Sequence, residues 1–157
     1  MRIFNRSIAF GLLLVALGAC STTPKGEWLN FSQLETGLAT NRSLACSPDI
    51  CPNAKAQKDV LVFNASASAV SDAFRTIEPK AEFLTRPNGD IQARYVATTA
   101  VLQFRDDVDL LIHPVSANEA EVAVYSRSRI GLSDLGKNAS RIDDLEQRIK
   151  KALADGA

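Results

Sequence analysis

Histidine is almost missing from this chain of 157 residues: His113 stands alone, before Pro114 near an expected strand end. That leaves no imidazole cluster for a metal and no histidine flanked by a nucleophile motif. A lone histidine is more often structural or exposed than catalytic. Equally absent are G-x-S-x-G, H-E-x-x-H, a phosphate-binding P-loop and a dinucleotide glycine fingerprint. Neither charge dominates, with 18 basic and 18 acidic residues, so there is no basic face to meet nucleic-acid phosphates. Internal repeats and low-complexity tracts are lacking, which excludes solenoids and disordered tails. No apolar run reaches the roughly 20 residues of a permanent membrane-spanning helix. Metal and cofactor are therefore not expected.

The start of the chain reads as an export signal. Arg2 and Arg6 form a positive n-region, and Ile8 to Leu17 is an uncharged apolar stretch. It runs into Leu17-Gly18-Ala19-Cys20, small residues before a cysteine. This resembles the bacterial lipobox. The resemblance implies cleavage after residue 19, with Cys20 thioether-lipidated and N-acylated, so that the acyl chains hold the protein to a membrane facing the periplasm. Ser21, rather than aspartate, follows Cys20, and by resemblance to enterobacterial sorting this favours the outer over the inner membrane. Loss of Arg2 and Arg6 leaves the remainder slightly acidic.

Cys46 and Cys51 are the other two cysteines. An exported chain with one close pair is read most simply as carrying one disulfide. The spacing is not C-x-x-C, and no histidine or further cysteine lies near to make a redox or metal site.

Three segments are expected: a signal peptide over 1–19, a tether and disulfide-stapled arm over 20–58, and an α+β domain over 59–157. In the arm, Ser32-x-x-Glu35 has capping-box spacing and predicts a short helix over 33–39. Trp28, Leu29, Phe31, Leu34 and Leu38 are apolar enough for the arm to wrap the domain. Then come a strand over 60–63 and a helix capped by Ser66 or Ser68. Its apolar positions Val70, Ala73, Phe74 and Ile77 follow the i, i+3, i+4, i+7 rule, and Pro79 ends it. Strands are expected over 81–85 and 91–97, around the turn Pro87-Asn88-Gly89, with Ile91, Ala93, Tyr95 and Ala97 on one face. Two more are expected over 101–105 and 108–113, broken at Asp106-Asp107, and a last one over 122–129. Asn138 is expected to cap a terminal helix striped by Ile142, Leu145, Ile149 and Leu153. The order β-α-β-β-β-β-β-α predicts an antiparallel sheet of five or six strands with two helices on one face.

The densest polar stretch carries the most specific pattern. It comprises Asp106, Asp107, Ser126, Ser128, Arg129, Gly131, Ser133, Asp134, Gly136, Asn138, Arg141 and Ile142. With Asn41-Arg-Ser-Leu44 and the cysteine pair, it resembles a bacterial and plastid family known only as domain of unknown function 1499, over about residues 41–150. The resemblance implies no activity.

Two readings of the cluster are open. In one it is a structural network, with Arg129 or Arg141 forked onto Asp106 or Asp107, Asp134 orienting the Gly131–Gly136 loop, and the serines satisfying backbone groups. In the other, the arginines, Asn138 and the free amides of the terminal helix receive a carboxylate or phosphate. Asp106 and Asp107 are neighbours, so on a strand they point to opposite faces. The function expected is that of a non-catalytic binding or structural module of the envelope, anchored by lipidated Cys20, which either binds a lipid, a hydrophobic small molecule or an envelope protein or serves assembly through the Trp28–Leu38 arm. The alternative is an enzyme acting on an envelope component through the Asp/Arg/Ser cluster.

Overall fold

A computed structural model describes residues 26–37, 40–99 and 103–156. The expected signal peptide over 1–19 and the expected lipidation at Cys20 fall outside these residues. Six strands form one sheet: β1 (Arg42–Ala45), β2 (Leu61–Phe63), β3 (Glu82–Thr85), β4 (Ile91–Thr98), β5 (Arg105–Ser116) and β6 (Glu119–Ser128). All pair antiparallel, in the order β1-β6-β5-β4-β3, with β2 also on β6. Two helices, α1 (Ala67–Ile77) and α2 (Lys137–Asp155), complete the α+β architecture.

The two-residue alternation of the strands decides what each face covers. One face carries Ala93 and Tyr95 of β4, Val108, Leu110 and Ile112 of β5, and Val122 and Val124 of β6. On it pack Val70 and Phe74 of α1 and Ile142, Leu145 and Ile149 of α2. These side chains are buried, so the layer between helices and sheet is filled. Ser66 starts α1 by accepting a hydrogen bond from the Ala69 amide at 3.2 Å. At its other end the Ile77 carbonyl accepts from Arg148 of α2 at 2.8 Å, which satisfies an orphan carbonyl and ties the helices together.

The opposite face is covered by the arm. Leu44, Leu111, Ala123 and Tyr125 pack against Phe31, Leu34, Ile50 and the disulfide Cys46–Cys51. The arm also supplies β1, which lies directly against β6.

Four local expectations are corrected. The arm forms a 3-10 turn over Phe31–Gln33, capped by Asn30, instead of a helix from residue 33. The Ser32 hydroxyl donates to the Asn30 side chain, which takes the capping position two residues early. Instead of a strand over 101–105, Gln103 and Phe104 belong to a turn closed by Thr99, and Val101 and Leu102 lie outside the described residues. Asp106 and Asp107 do not break the sheet. Both sit inside β5, opposite Ala97 and Val96, because ladder pairing uses only the backbone and each carboxylate finds an arginine on its own face. Finally, Gly136 rather than Asn138 occupies the cap of α2; its φ of 80° is left-handed, which glycine adopts freely.

Replacing both Cys46 and Cys51 by serine removes the staple from a short loop. The expected loss is about 2 kcal/mol of stability by loop entropy, read as a lower urea midpoint with the helical signal retained.

Candidate functional site

The strand pleat and the α2 N-terminus divide the expected site residues into two groups. On the helix face Asn138, fully buried, is the centre. Its side-chain oxygen accepts from Ser126 Oγ at 2.6 Å and from Arg141 Nη1 at 2.7 Å. Its amide nitrogen donates to the Asn41 carbonyl at 2.9 Å and to Ser128 Oγ at 3.2 Å. Arg141 donates further to Ser126 Oγ and to Asp106 Oδ2. Oδ1 of Asp106 has no hydrogen-bond partner among the described residues.

On the arm face, Asp107 receives a forked pair from Arg129 at 3.0 and 2.7 Å. Asp109 pairs with Arg127 at 2.7 Å. Each arginine reaches the carboxylate diagonal to it across the β5–β6 ladder. Arg127 also lies over the Tyr125 ring, whose hydroxyl accepts from Arg42 at 3.2 Å. Asp106 and Asp107 are thus separated by the sheet itself and share no substrate position.

Ser133 and Asp134 organise the loop between β6 and α2. The Asp134 carboxylate accepts from the amides of Gly136 at 3.0 Å and Asn138 at 2.7 Å, and Ser133 Oγ accepts from Leu135 N at 3.3 Å. The place where an external anion would meet these amides is taken by the chain's own carboxylate. Partial burial pushes the Asp134 carboxyl up, but the Asn138 and Gly136 amides outweigh it and hold its pKa below the ordinary value. Asp109 goes the other way: burial raises its pKa, and Arg127 offsets this only in part. Burial, reinforced by Glu78, also raises the Tyr95 phenol.

Sequence reasoning missed a second constellation. A cleft of about 1070 Å³ opens on the arm face, between the 3-10 turn and the β3–β4 hairpin, lined by Trp28, Asp49, Arg86, Asp90, His113 and Glu121 among others. His113 Nδ1 lies 2.7 Å from Asp90 Oδ1, and the imidazole is half-exposed. Arg86 and Leu29 are bridged by Gln92, which accepts from the guanidinium at 2.6 Å and donates to the Leu29 carbonyl at 2.8 Å. The signal for the dyad was the Asn88-Gly89 turn, which brings Asp90 beside the strand carrying His113 once Ile91 is set opposite Ile112. Among the described residues no cluster of metal-ligating side chains occurs, and no helix is long and apolar enough to cross a membrane.

Fold and network together define a disulfide-stapled α+β domain whose signature polar residues are largely paired with one another. A family model described as a protein of unknown function, DUF1499, matches residues 36–149, and the chain belongs to that family. No curated protein matches it. Among solved structures it is similar to the vertebrate conserved region of human METTL16, at 12% identity and a TM-score of 0.34, over 61% of this chain and 98% of that one. It is also similar to the di-domain ARO/CYC BexL from the BE-7585A biosynthetic pathway, at 14% identity and a TM-score of 0.31, over 61% and 43% of the two chains. At such scores neither protein informs the function of this one.

Arg141→Met would strand the Asp106 carboxylate, whose side chain is 2% exposed. It is expected to cost about 3–5 kcal/mol, much of it recovered in Asp106→Leu/Arg141→Met, as measured by urea denaturation. Arg129→Met is expected to cost less, because Asp107 is 18% exposed and water can reach it.

The lowered pKa of Asp134 has a definite sign. Its contribution is present above the unfolded aspartate value of about 3.9 and is lost as pH falls through the lower folded value. Asp134→Ala should therefore be about 1 kcal/mol less stable at neutral pH and lose less on acidification from pH 5 to 2, as urea midpoints at each pH will show.

Proposed function

We propose that this chain is a cell-envelope lipoprotein acting as a non-catalytic binding module, held to the membrane through lipidated Cys20 and receiving a small polar ligand in the arm-face cleft. The anchor reading rests on the n-region, the apolar stretch and the Leu17-Gly18-Ala19-Cys20 sequence. Exposure to the periplasm agrees with the Cys46–Cys51 disulfide. Ser21 favours the outer membrane.

The carrying observation for the binding role is where pairing leaves room. Asp106, Asp107, Arg129 and Arg141 are engaged with one another, which counts against an enzyme built on the Asp/Arg/Ser cluster. The filled helix–sheet layer counts against a buried lipid. The cleft, by contrast, combines Trp28 with Asp49, Asp90, His113 and Glu121. An aromatic edge with convergent planar polar groups suits a hydroxyl- or amine-bearing small molecule better than an acyl chain. The Asp90-oriented imidazole presents a hydrogen-bonding edge to it.

Mass spectrometry of the full chain purified in detergent tests both parts. The N-terminal peptide should begin at Cys20 with diacylglyceryl and acyl mass, and Cys20→Ser should retain the signal sequence. A polar small molecule should co-purify with the wild type and be depleted in His113→Ala. An unmodified N-terminus refutes the anchor. A bound acyl lipid in stoichiometric amount, or no bound species at all, refutes the cleft.

A further inference from the structure

The loop between β6 and α2 is hydrogen-bonded to the arm and to its own Asp134 yet exposes its apolar side chains. Leu132 is 93% exposed and Leu135 91%, and Ile130 is exposed beside them. Leu135 also adopts a φ of 52°, unusual for a leucine. Around these tips the backbone is pinned from several directions. Asn41 donates to the Gly131 carbonyl at 2.8 Å, Thr40 to the Leu132 carbonyl, and Asp134 accepts from the amides beyond. A loop merely crossing solvent has no need of such fixation, and clustered exposed leucines mark a contact surface.

Phe104, also exposed, stands at the same end of the sheet, since the Arg129 amide donates to the Arg105 carbonyl at 3.1 Å. The first described residues of the arm run toward that end as well. The Leu29 carbonyl accepts from Gln92 at 2.8 Å and the Gly26 carbonyl from Arg94 at 2.9 Å, so from residue 29 back to residue 26 the chain advances along β4 toward Thr98. Cys20 precedes Gly26 by six residues, a reach of at most about 20 Å. A domain on so short a tether stays close to the leaflet that an acylated Cys20 would enter. Lys137, exposed beside Leu135, offers a cation to anionic headgroups.

We propose that this end of the sheet lies on the lipid leaflet holding the anchor, with Leu132 and Leu135 inserted among the acyl chains and the domain fixed in one orientation. The proposal rests on the lipoprotein reading for the nearness of the leaflet. Its occupant is a lipid surface, and docking onto another protein is a separate outcome.

The test uses the full acylated chain in phosphatidylethanolamine–phosphatidylglycerol vesicles. Leu132→Cys gives one free thiol, because Cys46 and Cys51 are bridged and the Cys20 thiol carries the lipid. The substitution touches a solvent-facing side chain and leaves the fold intact. An environment-sensitive fluorophore there should shift to the blue and be quenched at least twofold by lipids spin-labelled on the acyl chain. The same fluorophore at Asn118→Cys, in the β5–β6 turn at the far end, should remain aqueous and unquenched. Aqueous emission at both positions overturns the proposal, as does crosslinking from position 132 to a second envelope protein in place of lipid quenching. The acyl mass of the N-terminal peptide is measured on the same sample. Its absence sinks the anchor alone, whereas an acylated chain unquenched at position 132 sinks the insertion alone.

Discussion

A single buried carboxamide holds the molecule's parts in register. Asn138 has no exposure to water, so each of its polar atoms must find a partner inside the protein or destabilise it. It finds them on four segments at once: the Asn41 carbonyl from the arm, two serines of β6, Arg141 of its own helix, and the Asp134 carboxylate at its main-chain nitrogen. Through Arg141 the connection extends to Asp106 of β5. The hydrophobic effect gathers sheet and helices but has no direction. The amide supplies direction, because only one placement of arm, strand, loop and helix satisfies it.

The sheet is unusual in being largely covered on both sides although it is antiparallel. Such sheets commonly leave one face to water. Here helices cover one face, and the other is roofed by an arm too irregular to roof anything unless pinned. The Cys46–Cys51 bridge, the Asn30-capped turn and the Gln92–Leu29 contact do the pinning. Where the roof ends, the cleft begins. An irregular cover over a pleated sheet leaves gaps that two packed helices do not, which is why the open volume falls on the arm side.

Much of this was legible beforehand, for physical reasons that differ from element to element. Helix α1 and strand β4 each expose a clean periodicity to the reader, 3.6 in Val70-Ala73-Phe74-Ile77 and 2.0 in Ile91-Ala93-Tyr95-Ala97, because each buries one face only. Strand β5 was misread as two. A strand roofed on both sides loses alternation, and two adjacent aspartates look like a turn until the arginines opposite them are known. The role of Asn138 was misjudged by position: an asparagine at the start of a helical stripe reads as a cap, but a left-handed glycine two residues earlier relieved it of that duty. The arm strand Arg42–Ala45 carries too few residues to signal itself; its identity depends wholly on the edge of β6. The His113–Asp90 pair was illegible for a similar reason, since its members meet only across a strand register.

That edge of β6 has a temporal meaning. The strand is bordered by β5 on one side and by both β1 and β2 on the other. The earliest strand to leave the ribosome is thus completed by the last, with Arg42 facing Arg127. Contacts so distant along the chain form late, after the entropy of closing a long loop has been overcome. The arm therefore closes on an edge that the rest of the domain has already built, and β1 is the last strand to join the sheet.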